Sequence, residues 1–74
     1  MFKYSVSIDT NESKVVFFSH DGNKVVELLN PSLLLNYYHN EVALRLLLEE
    51  ILDDEVSRDF VYHVQNLVQQ ELLR

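Results

Sequence analysis

An α+β fold is predicted for this chain: a three-stranded antiparallel β-meander in residues 1–29, then two or three α-helices in residues 30–74, packed on one face of the sheet (βββαα). Three observations predict it. Apolar residues alternate with period two at the start of the chain. An Asp-Gly pair separates two β-rich runs. From residue 31 onward the apolar spacing lengthens to three and four. At 74 residues the chain is expected to form a single domain, residues 1–74.

Each element follows from its residues. In residues 2–9, Phe2, Tyr4, Val6 and Ile8 fall on one side and Lys3, Ser5, Ser7 and Asp9 on the other, the pattern of a half-buried strand. Thr10, Asn11, Glu12 and Ser13 make a polar turn. Residues 14–20 are apolar on both faces and rich in β-branched and aromatic side chains, which suits a central strand. Asp21-Gly22 is a hairpin signal, because Gly22 tolerates the positive φ that such turns require. Residues 24–29 form the third strand.

Asn30 is placed to cap a helix, with Pro31 at the first helical position, where its missing N–H costs nothing. That helix carries Leu33, Leu34, Leu35, Tyr37 and Tyr38. His39-Asn40 breaks or kinks it, with Asn40 as a second cap, so residues 31–52 form either one kinked helix or two. Residues 41–52 are apolar around most of the helix, with Val42, Ala43, Leu44, Leu46, Leu47, Leu48, Ile51 and Leu52. Their one polar stripe is Glu41, Arg45, Glu49 and Asp53, four apart, the spacing for Glu–Arg–Glu ion pairs. Asp53-Asp54-Glu55 is expected to begin the last helix, where acids favour the positive end of the dipole. That helix is expected to bury Val56, Phe60, Val64, Leu67, Val68 and Leu72.

Composition narrows the function. Six basic against twelve acidic residues leave a net charge of −6, a field that repels nucleic acid and anionic membranes. Direct nucleic-acid binding is therefore not expected. No apolar run reaches the ~18 residues of a membrane span, and the strict alternation at the N-terminus is unlike a signal peptide. We expect a cytoplasmic protein without membrane contact. The chain has no cysteine, which excludes disulfides and thiolate metal sites. A core of this size supplies about 3–5 kcal/mol, and self-association is the remaining aid to stability, so a homodimer is expected.

The sequence holds no constellation for catalysis, cofactor or metal. One glycine is too few for a phosphate loop, and no GxSxG or HExxH pattern occurs. Ser19-His20-Asp21 resembles a triad only in order, since neighbours on a strand point to opposite faces. Asp59 and His63, four apart, can share a helix face, but two ligands do not make a metal site.

What remains is material for an interface. The helix 41–52 has more apolar surface than one contact absorbs, and surplus of that kind marks interfaces. Six of the twelve acids lie between residues 49 and 59: Glu49, Glu50, Asp53, Asp54, Glu55 and Asp59. With Leu46, Tyr37 and Tyr38 they are the candidate partner-binding residues. The expected function is a non-enzymatic interaction module, an inhibitor or adaptor of one protein partner. Two other readings stand beside it. One is a DNA- or RNA-mimicking inhibitor of a nucleic-acid-handling protein, such as an anti-CRISPR acting on a host defence nuclease. The other is an antitoxin-like binding protein.

Overall fold

The computed structural model describes residues 2–73. Three strands, β1 (Tyr4–Asp9), β2 (Lys14–Ser19) and β3 (Lys24–Leu28), are followed by three helices, α1 (Ser32–Tyr37), α2 (Glu41–Leu52) and α3 (Arg58–Glu71). The sheet is antiparallel in the order β1-β2-β3. The predicted α+β meander with its helical layer is the observed fold.

The turns explain the register. Asp9 Oδ1 accepts the Asn11 and Glu12 N–H groups at 3.0 and 3.1 Å, and Ser13 adopts a φ of 53°, so the chain reverses to pair Asp9 with Lys14. At the second turn the Gly22 N–H donates to the Ser19 carbonyl at 2.9 Å and Gly22 takes a φ of 91°. This is the three-residue hairpin in which a tight turn is followed by a positive-φ glycine. Asp21 braces it, accepting from the Ser19 hydroxyl and from Asn23. Between Phe17 and Phe18 the ladder slips, pairing Phe17 with Val26 but Phe18 with Lys24, and Val25 is left as a bulge residue.

One face of this sheet builds the core. Val15 and Phe17 are fully buried, flanked by Tyr4, Val6 and Ile8 from β1 and Val26 and Leu28 from β3. Leu34 from α1, Leu44, Leu48 and Leu52 from α2, and Phe60, Val61, Val64 and Val68 from α3 complete it. α3 lies against β1, α2 against β3, and α1 against α2. The opposite face carries Ser5 and Ser7, both exposed, with Val16 held between Lys14 and Phe18 along β2. Ion pairs from Lys14 and Lys24 to Glu27 run along that face.

Several local expectations need correction. β1 begins at Tyr4 rather than Phe2, although the Phe2 ring still reaches α3, meeting Phe60 edge-on at 5.6 Å and stacking on His63 at 5.0 Å. The break at His39-Asn40, by contrast, is as expected: residues 31–52 form two helices, and Asn40 caps the second by accepting the Ala43 N–H at 3.1 Å. Asp53-Asp54-Glu55 does not begin α3. Asp53 ends α2 in the left-handed region (φ 53°, ψ 43°), and Ser57 is the true cap, its hydroxyl accepting the Phe60 N–H at 3.1 Å. Along α3 Val61, not named among the residues expected to be buried, is fully buried, while Leu67 is only partly covered.

Candidate functional site

α2 buries one edge and presents another. Leu44, Leu48 and Leu52 recur every four residues and enter the core. Val42, Leu46 and Glu50 have the same spacing on the outward side. Val42 is 58% and Leu46 57% exposed, values far above those of ordinary buried helix leucines. Tyr37, at the end of α1, adds a ring that is 41% exposed. Between the two helices a shallow groove of about 250 Å³ is lined by Tyr37, Ala43, Leu46, Leu47 and Glu50. Tyr38, by contrast, packs against the core, and its carbonyl accepts from Gln65 Nε2 at 2.6 Å.

The acids of residues 49–59 divide into two groups. Asp54 is committed to the fold. Its carboxylate accepts from Lys3 Nζ at 2.8 Å, from the Tyr4 hydroxyl at 2.7 Å and from the Glu55 N–H at 2.8 Å. These donors, Lys3 first, stabilise the charged form and hold the Asp54 carboxyl down at about 2. The same bonds raise Lys3 and Tyr4 above their ordinary values. Glu49 is committed as well, since one carboxylate oxygen accepts the Val56 N–H at 3.1 Å and holds the α2–α3 loop. Glu50, Asp53, Glu55 and Asp59 are exposed, and none forms an ion pair among the described residues. Asp59 lies in the first turn of α3, where the helix dipole favours it.

The stripe expected to pair along α2 does not do so. Glu41 instead binds Arg58 Nε at 3.0 Å and accepts from the Tyr62 hydroxyl at 3.3 Å, both across to α3. With Glu49 turned to the loop, Arg45 loses both helical neighbours. Among the described residues it is the one Lys or Arg without an ion pair, for Lys3, Lys14, Lys24 and Arg58 all have one. The sequence places Arg45 between two glutamates, and nothing in that spacing reveals that tertiary partners claim both.

Other candidates lead to structural roles. Ser19 donates to Asp21, with exposed His20 outside the bond, so no triad forms. His63 stacks on Phe2. Among the described residues no group of three or more His, Asp or Glu is gathered to hold a metal ion, and no helix is long and apolar enough to cross a membrane. A small cavity of about 140 Å³ lies beside Phe2, Tyr4, Val56 and Phe60 at the Lys3–Asp54 tie. No protein-family model, curated protein or solved structure matches this chain.

Proposed function

We propose that this chain is a non-enzymatic protein-interaction module, an inhibitor or adaptor that binds one protein partner stoichiometrically and acts in the cytoplasm. The observation that carries the reading is the outward face of α2. Val42 and Leu46, each more than half exposed, adjoin Tyr37 and are bordered by the exposed carboxylates Glu50 and Asp53. An apolar centre with a charged rim is the usual anatomy of a protein interface. Affinity capture from host cells, read by mass spectrometry, tests it. Wild-type chain should retain one partner that Leu46→Lys loses, with the fold unchanged by circular dichroism. Catalytic turnover of any substrate, or tight binding of naked DNA or RNA at physiological salt, would overturn the reading.

The second reading, mimicry of a nucleic-acid backbone, draws on Glu50, Asp53, Glu55 and Asp59, four exposed acids without ion pairs among the described residues. An antitoxin-like protein that occupies a basic partner uses the same surface. Salt separates these from an apolar contact. Binding through carboxylates weakens steeply as ionic strength rises, and binding through Leu46 and Val42 responds little.

A further inference from the structure

We infer that Asp21-Gly22 is a latent site of backbone isomerisation, and that the β2–β3 turn keeps its aspartate from becoming isoaspartate until the hairpin opens. Gly22 is the only glycine of the chain, so Asp21 is the only acid or amide followed by a residue without a side chain to shield its backbone nitrogen. Asp21, Gly22 and Asn23 are all exposed, and beyond the chain neighbours no atom lies within 4 Å of where a Gly22 Cβ would stand. Water and a reacting nitrogen are therefore both at hand.

The chemistry needs no reagent but water. The Gly22 nitrogen attacks the carboxyl carbon of the Asp21 side chain. A C–N bond forms, a C–O bond breaks, and the carboxyl hydroxyl leaves with the amide proton as water. The product is a five-membered succinimide, and water then cleaves one of its two C–N bonds to a carbonyl. Cleavage at the side-chain carbonyl restores aspartate. Cleavage at the main-chain carbonyl gives isoaspartate, with the chain rerouted through Asp21 Cβ and one carbon longer.

The folded turn opposes each requirement of that step. The Gly22 N–H donates to the Ser19 carbonyl at 2.9 Å, so the proton that must leave is held. The Asp21 carboxyl, which must swing onto the Gly22 nitrogen, is bound elsewhere. Its Oδ1 accepts from the Ser19 hydroxyl and from the Asn23 N–H at 3.4 Å, and its Oδ2 accepts from Asn23 Nδ2 at 3.2 Å. Those donors, the Ser19 hydroxyl first, also hold the carboxyl below its usual range, and the ionised form is the poorer electrophile. Ring closure has to break these bonds, as a local opening of the hairpin does. Once formed, isoaspartate puts an extra carbon into the loop that the Ser19 N–H closes on the Asn23 carbonyl at 2.8 Å, and the original turn is lost.

Incubating the intact chain in heavy-oxygen water, then digesting it with trypsin in ordinary water, tests the inference. Each cyclisation leaves a heavy oxygen at residue 21 whichever bond water cleaves, and fragmentation of the Val15–Lys24 peptide locates it. Label should enter the folded chain more than about tenfold more slowly than the chain in urea, because slow chemistry samples only the open population. Ser19→Ala removes a brace and should raise the folded rate several-fold while leaving the urea rate unchanged. Asn23→Ala, which removes the Oδ2 donor, takes its place with the same outcomes should circular dichroism show Ser19→Ala to be unfolded. Asp21→Glu cannot close the five-membered ring and should take up no label. Equal rates in the folded and urea-treated chains overturn the inference. So does an Asp21 that stays unlabelled in urea, or a folded brace variant whose rate matches wild type.

Discussion

Asp54 ties the start of β1 to the loop between α2 and α3, a separation of 51 residues to Lys3. Its depressed carboxyl makes the tie pH-dependent. A group whose folded pKa lies below its unfolded value stabilises the fold fully above the unfolded value and ceases to do so as pH falls through the folded one. For Asp54 that window runs from 3.8 down to about 2. Stability of the wild-type chain should therefore decline across this window. Asp54→Asn should be less stable at neutral pH and show a flatter acid limb. Denaturant midpoints collected against pH decide this, and parallel curves for the two proteins would count against the tie. Gly22 is the second residue whose conformation matters. Its φ of 91° is costly for a side chain, yet no atom lies within 4 Å of where a Cβ would stand. Gly22→Ala should then lose about 1–2 kcal/mol from backbone conformation alone. A neutral substitution in urea denaturation would show that the hairpin relaxes.

Within the elements, α2 sets two leucines of opposite role two residues apart. Leu48 is fully buried and Leu46 is 57% exposed. Leu48→Ala should cost about 2–5 kcal/mol through lost contacts and the cavity left behind. Leu46→Ala should change monomer stability by only about 0.5 kcal/mol, as surface substitutions do. Thermal melts of dilute protein compare the two directly, and similar losses would mean that the outward face of α2 is covered. The start of α3 gives a sharper check on the corrected boundary. Ser57→Ala should cost about 0.5–2 kcal/mol by leaving the Phe60 N–H without its acceptor. Asp53→Asn, at the position expected from sequence to begin that helix, should cost much less, because Asn tolerates the left-handed region as Asp does.

For the whole molecule, a radius of gyration of 11.2 Å is close to the ~11 Å expected for a folded chain of this length. The exposure of Val42, Leu46 and Tyr37 is thus a property of a closed body and does not come from loose packing. A core drawn from one sheet face and three helices is small, with about 3–5 kcal/mol to offer. The self-association expected for so small a core would add to it by mass action, and melting temperature would then rise with protein concentration. Differential scanning calorimetry across a wide concentration range measures this. A melting temperature constant across the series would leave the chain stable as a monomer. The net charge of −6 opposes association at low ionic strength, so the rise should be larger at moderate salt.

Periodicity and turn chemistry were sufficient for the α+β meander, because both are local. Alternation in residues 2–9 needs no distant partner to declare a strand, and Asp21-Gly22 and Asn40 act within a few residues of themselves. The surplus of apolar residues on α2 was equally legible, since a helix can bury only part of its circumference. Which of those residues stayed outside was not legible. Leu46 and Leu48 are chemically identical, and only the packing of α2 on β3, α1 and α3 separates them. The acids were ambiguous for the same reason. Asp53, Asp54 and Glu55 read as one helix start, yet Asp54 faces Lys3 and Tyr4, whose approach depends on the closed fold. Glu41 and Glu49 were four residues from Arg45 and bound elsewhere, because an ion pair is won by whichever partner the tertiary structure brings nearest, and helical spacing sets only the local competitors.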